Sequence, residues 1–279
     1  VQLLAAGKVY VDHGPVQMTI AAERRGKPLS REVRKAGARV PVLLDALAGV
    51  LPLAKQPWPC LAGSKDLPKV LRLMVEAVAA TGDETMTPMA AVAGTFADLV
   101  ADFTVDQGAT KVLVNNGGDI ALRLKPGEST RVGIAPRLQV GMATHFIPLD
   151  FNSKVGGVAT SGLGGRSFTL GVADAVVSVA RNAALADACA TLIGNYTNVE
   201  FPGVTRRPAR ELDPDTDIPD LLVTTCVGQL PEWAVEKALD GGVAKAKQLA
   251  EKNLILGAVI FVAGRVRMWP EGLARPLGG

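Results

Sequence analysis

Lys111-Val112-Leu113-Val114-Asn115-Asn116-Gly117-Gly118-Asp119-Ile120-Ala121-Leu122-Arg123-Leu124 is the stretch on which the fold turns. Residues 111–114 are apolar enough for a buried strand. Asn-Gly between two apolar runs is a strong hairpin signal, and 120–124 supplies the returning strand. Directly upstream, 88–107 has the pattern of a helix, with Pro88 in its first turn. A helix feeding an antiparallel hairpin is not the regular βαβ alternation of a doubly wound sheet. It predicts an α+β fold, with mixed or antiparallel sheets flanked by helices.

Working outward, residues 8–23 alternate as one or two strands, with Val9, Val11, Val16, Met18 and Ile20 as inward positions. Residues 30–54 have near-helical apolar spacing from Ser30 onward, and Pro41 predicts a break or kink near it. A further helix is expected at 67–81, closed by Thr81-Gly82-Asp83. Downstream, strands are expected near 131–135, 143–149, 155–159 and 174–180, then a helix over 183–195. The proline-rich and charged stretch 200–220 reads as a long loop. A strand (221–226), a helix (231–252) and a strand (254–263) complete the chain. Neither a repeat nor a composition shift divides it, so one domain over 1–279 is expected.

Hydrophobic residues make up 48% of the 279 and charged residues 20%, an ordinary globular balance. The net charge is +3. Basic runs occur at Arg24-Arg25-Gly26-Lys27 and again at Arg206, Arg207 and Arg210. Aromatics are only 4%, so the stacking platforms of a nucleic-acid surface are missing, and these runs read as solvated faces. The longest apolar run, 254–263, is about half of what a bilayer span needs. Cys60, Cys189 and Cys226 form no CxxC and are odd in number, which predicts buried free thiols in a reducing compartment. The opening VQLLAAGKVYVDHG meets charge too soon for a secretory segment. The expectation is a cytoplasmic protein with a small-molecule ligand and without nucleic-acid or membrane partners. Compact enzymes of this size often form homodimers.

Three segments could carry chemistry. In Asn115-Asn116-Gly117-Gly118-Asp119, paired glycines admit close approach of a ligand to the backbone, and Asp119 can accept from a ribose or ring N–H; a plain hairpin is the competing reading. In Thr160-Ser161-Gly162-Leu163-Gly164-Gly165-Arg166, backbone amides and Arg166 could bind an anion, or the loop could be a connection. In the alanine-rich helix 183–195, Asp187 and Thr191 lie four apart on one face and suit a hard cation such as Mg²⁺. The competing reading for Asp187 is a partner for a basic residue or for a helix dipole. His13 and His145 are the only histidines.

Taken in order, these segments resemble the ApbE family of flavin transferases. That family has Lys-Gly-x-x-x-Asp on a helix, then Gly-Gly-Asp, Thr-Ser-Gly and Ala-Asp-Ala-x-Ala-Thr. The matching stretches are Ala93-Gly94-Thr95-Phe96-Ala97-Asp98, Gly117-Gly118-Asp119, Thr160-Ser161-Gly162 and Ala186-Asp187-Ala188-Cys189-Ala190-Thr191. His13-Gly14-Pro15 and the C-terminal helix and strand resemble an ApbE-related branch without a settled activity. The resemblance implies an ApbE-like domain, Mg²⁺ on Asp187 and Thr191, and FAD or FMN contacts at Asn116, Gly117, Gly118, Asp119, Thr160, Ser161 and Gly162. Asp187, Arg166 and His13 are the candidate catalytic residues.

The chain departs from the family at two points. Ala93 stands in the lysine position, and 167–172 lacks the family's histidine. The function that the resemblance implies is Mg²⁺-dependent chemistry on a flavin nucleotide, by FMN transfer or FAD pyrophosphate cleavage, and the two departures count against it. Two alternatives stay open: an enzyme of different chemistry acting on a small heterocyclic or carboxylated metabolite, and a non-catalytic flavin- or metabolite-binding protein.

Overall fold

The computed structural model describes residues 1–136 and 142–278. The elements run β1 (Gln2–Ala5), β2 (Lys8–His13), β3 (Val16–Arg24), β4 (Lys27–Pro28), α1 (Ser30–Gly37), α2 (Arg39–Ala48), α3 (Leu51–Ala54), α4 (Lys69–Thr81), α5 (Val92–Asp106), β5 (Lys111–Asn116) and β6 (Asp119–Leu124). They continue β7 (Ser129–Ile134), β8 (His145–Asp150), β9 (Gly157–Ser161), β10 (Ala175–Ala180), α6 (Ala183–Asn195), β11 (Val204–Pro208), β12 (Leu222–Val227), α7 (Glu232–Glu251), β13 (Gly257–Val262), β14 (Arg265–Trp269) and β15 (Arg275–Pro276). The architecture is α+β, with antiparallel pairing and flanking helices, as expected. The chain contacts resolve into two compact units, each discontinuous in sequence: Val1–Thr130 with Leu149–Ala159 and Ala180–Ala188, and Arg131–Pro148 with Thr160–Val179 and Cys189–Gly279.

The first unit is built on the strand order β1-β2-β3-β5-β6-β9, with β4 against β3. Alternation decides which face of this sheet is buried. Val9 and Val11 on β2 and Val16, Met18 and Ile20 on β3 are all buried. Removing each of the larger of these side chains from water stabilises the fold by about 1.5–3 kcal/mol. Helix α5 lies on β5 and β6 and on the inner part of the helical layer, and it buries Phe96, Ala97, Val100 and Ala101. The segment Pro88–Asp106 has the length and mean hydropathy, 1.2, of a membrane-crossing helix, yet 56% of that window is buried within the protein. It has the burial of a core helix.

The second unit carries β10, β13 and β14 in antiparallel register. Its two inner strands are buried at every position, AVVSVA and GAVIFV. Helix α7 packs on β13 and β14. Its Glu232, Glu236 and Asp240, spaced by four, meet Arg265 and Arg267 of β14 in a ladder of ion pairs. Separate small sheets pair β11 with β12 and β15 with β8.

Several sequence expectations are corrected. The break expected near Pro41 falls at Ala38, which places Pro41 in the first turn of α2, where a missing N–H costs nothing. A second break falls at Gly49-Val50, giving α1, α2 and α3. The stretch 200–220 is not all loop, since Val204–Pro208 forms β11. Strands β1, β4, β14 and β15 lie outside the expected strands; β1 is exposed along its length and so carries no burial pattern. Of the thiols only Cys189 is buried, where desolvation pushes its pKa up to about 12; Cys60 and Cys226 are exposed.

Candidate functional site

Within the first unit, α5 and the start of α6 cross at close range because residue 94 is glycine. A Cβ at Gly94 would collide with the carbonyl of Ala183. At this crossing each helix satisfies the other's orphan N–H groups. The Asp187 Oδ2 of α6 accepts from Gly94 N in the first turn of α5 at 2.9 Å. The Asp98 Oδ2 of α5 accepts from Ala184 N in the first turn of α6 at 2.8 Å. Asn182 completes the α6 cap through Leu185 N at 2.8 Å. The two motif aspartates are therefore reciprocal helix caps, an interaction worth about 1 kcal/mol each.

Their electrostatics differ. Asp98 Oδ1 accepts from Arg123 Nη2 at 2.9 Å, and Arg123 Nε reaches Asp102 at 2.7 Å. Arg123 Nη1 also donates to the carbonyls of Leu122 and Gly156 at 2.9 and 3.1 Å. Burial raises the Asp98 pKa, and the Arg123 charge opposes that rise. For Arg123, burial lowers the pKa but Asp98 and Asp102 more than reverse it, and the net shift is upward. Asp187 has no such counter-ion: it makes no ion pair among the described residues. As a residue it keeps some exposed surface, but its carboxyl lies among protein atoms. Burial raises its pKa well above the usual carboxylate range, and the negative charge of Asp119 adds to the rise. The N–H groups of Gly94 and Ala93 oppose both.

The hairpin 115–119 supplies the neighbouring wall. Strands β5 and β6 are joined by Gly117 and Gly118, with φ of 70° and 113°. Glycine is required there because two consecutive positive φ values strain any residue with a Cβ. Asn115 Oδ1 accepts from Gly118 N at 2.9 Å and braces the turn. Asn116 and Asp119 face each other across the pair and are both buried. Asn116 Nδ2 donates to the carbonyl of Ala93 at 3.1 Å, tying the hairpin to the start of α5. The hairpin reading of this segment is thus correct, and the charge of Asp119 at its end acts on Asp187.

The antiparallel registers locate His13. It pairs with Val16 at the end of β2, and Met18 of the neighbouring β3 pairs with Asn116. The exposed His13 therefore lies at the same sheet end as the 116–119 turn, two strand spacings or about 10 Å across. The remaining candidates belong to the second unit. Thr160 and Ser161 are half-buried at the end of β9, and Thr191 is half-buried on α6. Gly162, φ 139°, is buried and could not carry a Cβ beside the carbonyl of Asp174. Arg166 is exposed in the Gly-rich loop. In place of the family's histidine, 169–173 is fixed by Thr197 Oγ1, which accepts from the N–H groups of Val172 and Ala173 at 3.1 Å each.

Sequence reasoning missed Arg123, Asp98 as a cap, and Asn182. Arg123 had a signal: it is the one charged residue in the apolar run 120–124. Asn182, directly before an alanine-rich helix, is an ordinary N-cap pattern that was passed over.

A family model described as AbpE bacteria matches residues 1–268. The UPF0280 protein of Methanococcoides burtonii is 37% identical over 151 residues, 53% of this chain and 60% of that protein. That of Methanosarcina acetivorans is 38% identical over 149 residues, 52% of this chain and 54% of that protein. The chain thus spans about half the length of the curated relatives it matches. Among solved structures, the apo flavinyl transferase ApbE of Pseudomonas stutzeri has a TM-score of 0.53 at 15% identity, with 94% of this chain and 93% of that chain covered. A variant of the flavin transferase ApbE of Vibrio cholerae has a TM-score of 0.50 at 10% identity, covering 94% and 96%. At these identities the likeness is one of fold.

Proposed function

The chain belongs to the AbpE bacteria family, and from that premise we propose that it is a divalent-metal-dependent enzyme acting on a flavin nucleotide. The observation that carries this is the charge imbalance at Asp187. A carboxyl whose only work was to cap α5 would gain nothing from a second carboxylate beside it. Asp187 and Asp119 together make sense around a cation. Both offer hard oxygen donors, which suit Mg²⁺, and Mg²⁺ is commonly held by one or two carboxylates together with substrate phosphates and waters. Among the described residues no set of three or more His, Cys, Asp or Glu side chains could enclose a metal. Thr191, one helical turn along α6, is proposed as a further oxygen donor.

The chain's own residues hold this arrangement. The N–H groups of Ala93 and Gly94 orient Asp187, and Asn116 fixes Ala93. Asp98 and Arg123 pin the first turn of α6. Gly117 lets a ligand approach the backbone, and Asp119 can accept from its ring or ribose. Mg²⁺, when bound, would polarise a phosphoryl oxygen and offset the charge developing on it. With Ala93 in place of a lysine, the chain offers no side-chain cation at that position, and a metal held by Asp187 would have to supply the charge. The flavin transferases that share this fold support the choice of flavin by analogy of fold. His13, Arg166 and the 160–162 stretch are proposed as ligand contacts from the sequence pattern. A cytoplasmic homodimer belongs to the same proposal.

The absent lysine and histidine favour a second reading, in which the fold is retained for a small heterocyclic or carboxylated metabolite. Titration with FAD, with and without Mg²⁺, followed by an assay for AMP and FMN separates the two. Metal-dependent stabilisation with AMP release, both abolished by Asp187→Ala, supports flavin chemistry. No effect at saturating FAD favours the second reading.

A further inference from the structure

We propose that the first unit holds a second binding site, for a small organic anion with an apolar or aromatic body, in the cavity of ≈ 330 Å³ floored by Arg123 and Gly156. Its lining includes none of Asn116, Gly117, Gly118, Asp119 or Asp187, so it is separate from the acidic wall described above. The volume is at the lower end of the range for small-molecule sites.

Charge identifies the ligand class. Three cations, Arg123, Lys154 and Arg181, line the cavity against one acid, Asp150. The Arg123 guanidinium is committed to Asp98, Asp102 and two carbonyls and forms part of the floor. Lys154 and Arg181 are exposed and make no ion pair among the described residues. Asp150 is turned into its own loop, where Oδ1 accepts from Ser153 N at 2.8 Å. Two exposed cations from separate chain segments, neither in an ion pair among the described residues, therefore line one hollow. Together they can hold a phosphate or carboxylate by charge-assisted hydrogen bonds. Phe151 of the same lining is 47% exposed, an unusual position for a large aromatic. Leu122, Leu124 and Val155 add apolar wall. An anionic head with a ring or short apolar body satisfies both halves of the lining.

The cavity is built on a rigid frame. Gly156 N donates to the carbonyl of Ala180 at 3.0 Å, and the Gly156 carbonyl accepts from Leu122 N at 2.9 Å as well as from Arg123. A Cβ at Gly156 would collide with the carbonyl of Arg181, so glycine permits the approach that brings Arg181 to the rim. Lys154 takes a left-handed backbone, φ 54°, at the end of the short turn Phe151–Ser153. Such a conformation in a non-glycine residue is uncommon.

The test is a calorimetric titration of the whole chain with phenyl phosphate, benzoate, inorganic phosphate and benzyl alcohol, with amide NMR shifts as the locator. Saturable binding of phenyl phosphate or benzoate is expected, with shifts concentrated at 151–156 and 181. Inorganic phosphate should bind more weakly, and benzyl alcohol should not bind. Lys154→Ala/Arg181→Ala should weaken binding by at least about tenfold without changing the unliganded melting temperature, because both side chains are exposed. Arg181→Lys should retain most of it. Asp187→Asn should leave this binding intact, which keeps it distinguishable from the fate of the flavin proposal. Equal binding by the double variant, equal binding of benzyl alcohol, or no saturable binding of either aromatic anion would overturn the site.

Discussion

Asp98 and Asp187 do the same structural work in opposite directions, yet one is neutralised and the other is not. Each caps the first turn of the helix that carries its counterpart. Each is raised in pKa by burial. At Asp98 the Arg123 guanidinium works against that penalty; at Asp187 the neighbouring Asp119 adds to it. A fold selected only for stability would treat the two ends alike. The difference separates the two ends: at Asp98 a guanidinium offsets the cost of burial, and at Asp187 no cation among the described residues does, which is the contrast the proposed cation site rests on.

The largest effect is expected at the neutralised end. Asp98→Ala removes the α6 cap and leaves the Arg123 guanidinium without its buried partner, so stability should fall by about 3–5 kcal/mol. Denaturant unfolding measures this directly, and a loss below about 1 kcal/mol would break the contrast by showing that Arg123 finds other partners. Next comes the crossing that allows both caps. Gly94→Ala places a methyl group against the Ala183 carbonyl and should cost about 1–3 kcal/mol. A neutral result would mean that α5 and α6 separate freely.

The smallest effect has the opposite sign. Asp187→Asn keeps an oxygen for Gly94 N but removes the repulsion, so it should raise the melting temperature, by about 2–4 °C for each kcal/mol gained. The pH dependence sharpens this. A carboxyl with a raised folded-state pKa binds more protons folded than unfolded. Its contribution therefore falls as pH rises from the ordinary aspartate range to the raised value, then levels off. Wild type should lose stability across that window more steeply than Asp187→Asn. Parallel pH profiles would show that Asp187 carries no unusual charge cost.

The sequence made much of this legible, for reasons that are local. Helix α6 was read at its observed bounds because an alanine-rich run following a turn has no competing pattern. The β5–β6 hairpin was legible because two apolar runs flank a glycine-bearing turn, although the turn itself falls on Gly117-Gly118 and leaves Asn116 in β5. What escaped was long-range. Nothing near Asp98 in sequence announces Ala184 or Arg123, which lie 86 and 25 residues away. The metal-ligand reading of Asp187 came from residue types. The cap it provides to α5 depends on a helix crossing that one glycine permits, and no periodicity reports that. The 150–156 cavity escaped for the same reason: Lys154 and Arg181 lie 27 residues apart, and only the Gly156 backbone brings their segments together.

The most direct measurement compares the melting temperature of wild type and Asp187→Asn at pH 7 over a Mg²⁺ titration. A ligand at about 100 times its Kd stabilises the folded state by about 2.7 kcal/mol. The charge imbalance at Asp187 predicts a saturable, Mg²⁺-dependent rise in wild type that is absent from the variant, whose unliganded form starts higher. An equal Mg²⁺ response in both proteins, or none in wild type, would contradict the assignment of Asp187 as a cation ligand and return it to the scaffold beside Asp98.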